Sequence, residues 1–486
     1  MSISGSLSNA LSGLTAAARA ADVVSSNVAN ALTPGYGRRE LELSARSIAG
    51  VGAGVKVDGV SRDVDQLVLA DRRLADAGAA EAEQYAAFYL KLEDAIGLPG
   101  DLNSLNGRIA ALEAALTEAA SRPDSDARLQ ATVDAADALA MKFNATSDAI
   151  QSLRKDADTS IAQQVDLLND RLTKIADLNA QIRRHQGAGH ETAALIDQRQ
   201  ALVDDIAEIV PLRVVGRDFG EIAIYTQSGA TLLDGKASQI GFTQTGTIVP
   251  EMTYSGGALS GLTINGREVN TGAGYSPISG GRLAALFHQR DDLAQQAQTS
   301  LDALARDLAE RFQSPLVDPT LALGDPGLFT DEGGAVLAAN EIGLSARLSL
   351  NALVDPGQPG GAAWRMRDGL GATAVGLSGD ATVLNALAQT LSQARIPASG
   401  QFGGAARSAS GLASEFLSVV SAARQSAEAD HSFTRAKADT LLAAQLADGV
   451  DTDAELQRLL LIEKAYAANA KVIQTVDDLL DNMLRL

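Results

Sequence analysis

The chain contains no cysteine. Disulfides and thiolate chemistry are excluded, and cysteine usage gives no reading of the redox compartment. Aromatic residues make up 4% of the 486 residues, and Trp364 is the one tryptophan. Small-residue packing between helices is expected in place of a large aromatic-lined pocket. Basic residues are outnumbered, 40 Lys and Arg against 60 Asp and Glu, for a formal charge of −20. Sequence-independent nucleic-acid binding needs clustered Lys and Arg to displace counterions, so no nucleic-acid partner is expected. An anionic membrane surface is disfavoured on the same ground, and no apolar run approaches the ~20 residues of a membrane span. The opening MSISGSLSNALSGL has no basic n-region and no continuous apolar h-region, so a Sec-type signal is not expected either.

Recognisable chemistry is equally scarce. The histidines are His185, His190, His288 and His431. His185 and His190 flank the loop QGAG with no Cys or carboxylate cluster at metal-binding spacing. There is no dinucleotide fingerprint, phosphate-binding loop or nucleophile elbow. Asp451, Asp453 and Glu455 lack the glycine and the final glutamate of a calcium loop. Asn144-Ala145-Thr146 is a sequon inside a helical stretch and is read as chance. The pairs Asp204-Asp205 and Asp291-Asp292 are expected on helix surfaces. No catalytic, cofactor-binding or metal-binding residue and no cofactor is expected, and the chain is not read as an enzyme.

What is present is helical periodicity, strongest at the C-terminus. From Asp451 to Leu486 there is no Gly or Pro. Thr452-Asp453-Ala454-Glu455 reads as a capping box. Leu459, Ile462, Tyr466, Asn469, Ile473, Val476, Leu480 and Met483 then alternate steps of three and four, a coiled-coil seam with one polar position. The seam runs to the last residues, so its cover is expected from elsewhere. Leu7, Leu11, Leu14, Ala18, Ala21 and Val28, broken by Ser25, supply a second stripe. Two lone helices with narrow faces are marginal in water. The ends are therefore expected to pair with each other and with neighbouring copies.

Between the ends, a length of roughly three domains at ~150 residues each is laid out symmetrically. Thr33-Pro34-Gly35-Tyr36 fits a type II turn. Ala49 to Arg62 reads as short strands or a hairpin. Helices are predicted from Asp63, at Leu102–Ala120, at Asp126–His185 and at Glu191–Ile209. The longest carries Ile161, Val165, Leu168, Leu172, Ile175 and Ile182 at heptad spacing, with Asn179 as its polar exception. From Pro211 to about Val269, short β-type runs with Gly-rich turns predict an antiparallel β region. A helix follows at Arg282–Phe312, then irregular chain with a strand expected at Ile342–Leu350, and helices at Ala381–Gln393 and Arg407–Leu446. The fold class is mainly α with a β-rich insertion: paired N- and C-terminal coiled-coil helices, a long helical bundle, and a central β and irregular outer part. The domains are taken as 1–45 with 446–486, 46–209 with 395–445, and 210–394.

Specific residues at the two ends resemble a known family. Ser26-Asn27-Val28-Ala29-Asn30, Thr33-Pro34-Gly35-Tyr36 and Arg38 resemble the N-terminal signature of bacterial flagellar axial proteins, the rod, hook and junction family. Ala465-Tyr466, Ala468 to Thr475, Asp478, Leu480-Asp481 and Leu484 resemble the C-terminal end of its hook–filament junction branch. Leu178-Asn179, Ile182, Leu195-Ile196-Asp197-Gln198-Arg199 and Leu202 are similar to that branch's bundle helices. The match is strong over about the first 45 and last 40 residues and weak from about Gly235 to Arg407. Gly37 and Arg39 stand where the family often has Ser and Gln, and Ile462-Glu463-Lys464 replaces a more usual Tyr-Gln-Gln.

The resemblance implies a structural subunit of the bacterial flagellum, secreted through the flagellar type III apparatus and located outside the cell at the hook–filament junction. The implied partners are further copies of itself in a ring, the hook protein, the second hook–filament junction protein, and an export chaperone on the C-terminal helix. Subunit packing is assigned to Leu7, Leu11, Leu14, Asn27, Asn30, Gly35 and Tyr36 at one end. At the other it is assigned to Leu459, Ile462, Tyr466, Asn469, Val472, Ile473, Val476, Leu480, Met483 and Leu484. The alternatives are another axial protein of the second-junction, hook or distal-rod type, or a secreted coiled-coil adhesin or effector.

Overall fold

The structure is a computed structural model that describes residues 3–33, 35–48, 51–272 and 275–484. Pro34 of the predicted turn and the predicted hairpin tip at Ala49 lie outside these residues. The first helix, α1 (Ile3–Asn30), leads into an antiparallel hairpin of β1 (Arg38–Ile48) and β2 (Val51–Asp63). The hairpin thus begins at Arg38, well before the Ala49 start expected from the sequence. Asp65 then caps α2 (Gln66–Ile96): its Oδ1 accepts from the amides of Leu67 and Val68 at 2.8 and 3.2 Å. Gly97 ends that helix at φ 92°, a left-handed value open to glycine.

The bundle follows with α3 (Leu105–Ser121), α4 (Asp126–Gly187) and α5 (Ala193–Ala207). α4 runs 62 residues because nothing in it breaks a helix before Gly187 and its apolar heptads find partners throughout. Ile161, Leu168, Leu172, Ile175 and Ile182 are fully buried, as the spacing predicts. The polar exception is also accounted for. Asn179 Nδ2 donates to the Ile222 carbonyl at 2.8 Å, and its Oδ1 accepts from Arg199 at 2.7 Å.

The strands that follow are all antiparallel. β3 (Leu212–Gly216), β4 (Ile222–Thr226), β5 (Thr231–Asp234) and β6 (Lys236–Ala237) form one sheet in that order. β7 (Ile240–Gly241), β8 (Leu262–Ile264) and β9 (Arg267–Val269) form a second. The predicted helix after Gly280 is present but interrupted. α6 (Gly281–His288) passes through a π-helical turn, Gln289–Leu293, into α7 (Ala294–Phe312). This helix packs back on α2 and α4. Beyond it β10 (Phe329–Asp331) pairs with β11 (Leu348–Leu350), so the strand expected at Ile342–Leu350 is a helical turn, α8 (Leu344–Arg347), followed by three extended residues. α9 (Arg365–Asp368) and α10 (Thr382–Ser392) lead to α11 (Ala409–Ala447), which lies antiparallel to α2, with Glu93 beside Ser421 and Ala75 and Ala79 beside Ala438. α12 (Thr452–Leu484) closes the chain.

Two large apolar clusters form the interior, and they meet along α4 and the α6–α7 helix. One includes Leu153 and Ala294, the other Ala157 and Phe287. Between them sits a buried polar layer. Arg290 pairs with Asp158 at 2.6 Å, both side chains being fully buried, and with Asp291 at 2.8 Å. Arg154 donates to the carbonyls of Arg290, Val249 and Met252. Burial pushes its guanidinium down to about 10. Asp291 is therefore an interior ion-pair partner and not a solvated surface group. Asp204 likewise binds Arg72 and Arg73 at 2.6 and 2.7 Å. Asn144, in the chance sequon, donates to the Ser345 and Leu348 carbonyls and ties α4 to the outer chain.

Candidate functional site: the paired chain ends

α1 and α12 lie side by side and antiparallel. Gly13 faces Asn469, while Ala20 and Val24 share a small cavity of about 200 Å³ with Glu455 and Ile462. The C-terminal seam is the face that packs. Leu459, Ile462, Asn469 and Ile473 are half-buried and Val476 is 6% exposed. Tyr466, Val472, Leu480, Met483 and Leu484 remain exposed at 39% or more.

On α1 the buried stripe differs from the predicted one. Ala10, Ala17, Val24 and Asn27 are buried, and with Ser6, Gly13 and Ala20 they also alternate steps of four and three. The leucine stripe sits one residue, about 100°, around the helix. Leu7 and Leu11 are 38% and 59% exposed, and Leu14 is half-buried. Small side chains won the inner position because they let two helix backbones approach closely. A Cβ on Gly13 would come 2.7 Å from the Asn469 amide.

The signature residues after α1 form a connected polar knot within the chain. Asn27 is fully buried; its Nδ2 donates to the Arg39 carbonyl at 2.9 Å and its Oδ1 accepts from the Arg39 amide at 2.9 Å and the Tyr36 hydroxyl at 2.8 Å. Asn30 Nδ2 donates to the Ser26 carbonyl at 2.9 Å. Gly35 holds φ 78°, and a Cβ there would sit 3.5 Å from Ala201 of α5, so the turn rests against the bundle.

The start of α12 departs from the predicted capping box. The cap is Asp451, whose Oδ1 accepts from the amides of Asp453 and Ala454 at 2.9 and 3.1 Å, a carboxylate placed against the positive helix end. Glu455 is thereby free to turn inwards. It is 1% exposed and takes Arg38 Nε at 2.9 Å, while Arg458 reaches Glu40. Glu40 is held below the usual carboxylate range by its hydrogen bond and attraction to Arg458. These pairs fasten the hairpin to α12 across more than 400 residues of sequence. No local signal marks Arg38, Glu455 or Arg458 for that role. The inner α1 stripe could have been found by testing small residues, as well as leucines, for heptad spacing.

Among the described residues no group of three or more His, Asp or Glu is placed to hold a metal, and no helix is long and apolar enough to cross a membrane. His185 and His190 meet edge to face at 5.9 Å on the loop after α4.

Three families of known proteins match segments of the chain. Residues 7–36 match the flagella basal body rod protein family, residues 91–315 the flagellar hook-associated protein FlgK helical domain, and residues 447–486 the flagellar basal body rod FlgEFG protein C-terminal family. The chain is thus similar to FlgK over its helical stretch and to flagellar rod-type proteins at its two ends. Flagellar hook-associated protein 1 of Salmonella typhimurium is 28% identical over 360 residues, which cover 72% of this chain and 63% of the relative. That of Escherichia coli K12 is 27% identical over 331 residues, 66% of this chain and 58% of the relative. The chain thus spans less than two thirds of the length of these FlgK-family relatives. A solved FlgK structure, the flagellar hook junction protein from Burkholderia pseudomallei, superposes over 54% of this chain and 46% of its own with 22% identity and a TM-score of 0.42. The two rod-type matches fall on the two helices that pair here, and the FlgK helical-domain match on the stretch from the end of α2 through α7.

Proposed function

We propose that the chain is a structural subunit of the bacterial flagellum at the junction between hook and filament. It is exported through the flagellar type III apparatus and assembled through its terminal helices. One observation carries the reading. The two rod-type ends form a single antiparallel helix pair that keeps a second apolar face, with Leu7 and Leu11 on α1 and Leu460, Leu461, Val472 and Leu479 on α12 exposed. Exposed apolar surface of that extent on a polar chain favours protein partners. In this reading Leu7, Leu11, Tyr466, Val472, Leu480, Met483 and Leu484 pack against neighbouring copies. Leu14, Leu459, Ile462, Asn469, Ile473 and Val476 hold the pair itself, and Asn27, Asn30, Gly35 and Tyr36 frame it. The partners are a ring of the same chain, the hook protein on one side, the second junction protein on the other, and an export chaperone covering α12 beforehand. The role is mechanical and not catalytic. Cells lacking the chain are expected to carry hooks without filaments, seen by electron microscopy, with filament protein released into the medium. Intact filaments on such cells would refute the proposal, and loss of the hooks themselves would favour a rod or hook role.

A further inference from the structure

The paired ends share no apolar interior with the rest of the chain. Among the described residues, none of the three buried apolar clusters contains a residue of α1, the hairpin or α12. Two short connections, Val64-Asp65 and residues 448–451, join this terminal unit to the bundle. The other attachment lies on α5, where the Gly35 turn rests against Ala201 and a polar cluster centres on Asp197.

Asp197 Oδ1 accepts from Arg62 Nε at 2.7 Å and from the Gly37 amide at 3.1 Å, and Oδ2 accepts from Arg39 at 3.2 Å. Its side chain is 13% exposed. Gln200, one turn along α5, also accepts from Arg62. A Cβ on Gly37 would fall 2.2 Å from Arg62 Nε, so glycine there is what lets Arg62 pass the turn to reach the carboxylate. Two guanidinium groups thus share one carboxylate. The surroundings add positive charge: burial, then the neighbouring Arg62 and Arg73, push Arg199 down to about 10. Arg199 itself is occupied elsewhere, donating to Asn179 and to the Gly220 carbonyl.

We propose that Asp197 is a latch: it holds the terminal unit at one angle to the bundle, and its loss frees that angle while both parts stay folded. An apolar contact is non-directional and would tolerate sliding; three hydrogen bonds converging on one carboxylate define an orientation. Removing the carboxylate leaves Arg39 and Arg62, both on the hairpin, without their counter-charge on α5 and facing the positive surroundings of Arg73 and Arg199, so nothing there fixes the hairpin against the bundle. The Asp197-Gln198-Arg199 stretch thereby has a physical role at each end: Asp197 faces the terminal unit, and Arg199 ties α4 to the β region.

The absence of cysteine makes the test direct, because spin labels can be placed at will. One pair, Arg19→Cys on α1 with Gln163→Cys on α4, spans the joint; a control pair, Glu118→Cys with Gln163→Cys, lies within the bundle. Distances are read on the full chain by double electron–electron resonance. The parent is expected to give one narrow distribution for each pair. Asp197→Ala should broaden the spanning pair about twofold and leave the control pair unchanged. Arg62→Met and Gly37→Ala, which alter only the hairpin side, should broaden the spanning pair in the same way, so the test survives if Asp197→Ala disturbs α5. A spanning distribution that stays narrow in Arg62→Met and Gly37→Ala overturns the proposal, as does one already broad in the parent.

Discussion

Gly13→Ala tests the close approach of α1 and α12 with two opposing effects of similar size. Alanine in place of glycine inside a helix favours the helix by about 1 kcal/mol. The new Cβ, however, would lie 2.7–2.8 Å from the Oδ1, Cγ and Nδ2 atoms of Asn469. Overpacking of that kind costs about 1–3 kcal/mol. The single substitution should therefore range from near neutral to about 2 kcal/mol destabilising for the pair. Asn469→Ala removes the obstacle. It also sacrifices little, because the amide's hydrogen bond goes to the Ala465 carbonyl of its own helix at 2.9 Å. In that background Gly13→Ala should stabilise by about 1 kcal/mol. The cycle then has a coupling energy of about 1–3 kcal/mol, roughly 5- to 150-fold in an opening equilibrium. Global melting will not report it, since the terminal unit stands outside the main apolar clusters. Hydrogen exchange of α12 amides around Asn469 and Val476 reads local opening and is the suitable assay. Equal effects of Gly13→Ala in the two backgrounds, additive within about 0.5 kcal/mol, would refute the packing argument.

Two further predictions follow from the polar groups. Asn27→Ala strands the Arg39 amide and carbonyl and leaves the Tyr36 hydroxyl only Ser26, at 3.3 Å, and should destabilise the terminal unit by about 2–4 kcal/mol; Tyr36→Phe, which removes one partner, should cost less, about 0.5–1.5 kcal/mol. Hydrogen exchange of the hairpin amides would measure both, and the reverse order would contradict the knot described above. Glu81 is raised above the usual carboxylate range by burial, which its bonds from the Gly281 amide and the Tyr85 hydroxyl only partly offset. Its folded form binds the proton more tightly than its unfolded form. The penalty is thus absent below the unfolded value, about 4.3, and appears as pH rises through the folded one. Glu81→Gln should raise the Tm at neutral pH relative to the parent and leave it unchanged near pH ~4. A shift of the same size at both pH values would show that charge burial is not the cause.

Periodicity and punctuation, read from the sequence alone, determined where the long helices lie, that an antiparallel β region follows Pro211, and which face of α4 is buried. These are local properties. An uninterrupted run of helix formers and a heptad of Ile, Leu and Val state their own geometry, and the residues that stop a helix do so through their own backbones. The residues at both ends also carry the likeness to flagellar axial proteins. Three things were decided only by the tertiary structure. On α1, two heptad stripes of equal regularity compete, and the leucines attract the eye; which stripe faces α12 depends on how closely the partner approaches, and Ala10, Gly13 and Ala17 allow the closer contact. At the start of α12, Thr452 and Asp451 are both competent caps; Asp451 caps, and Glu455 bonds Arg38, 417 residues away. Asp204 reads as an ordinary helix-surface carboxylate, and Asp197 carries no local mark of an ion pair, until the fold brings Arg72 and Arg73 to the one and Arg39 and Arg62 to the other. An ion pair carries no periodic trace in the sequence, because its energy depends on where two distant charges come to rest and on the water excluded between them.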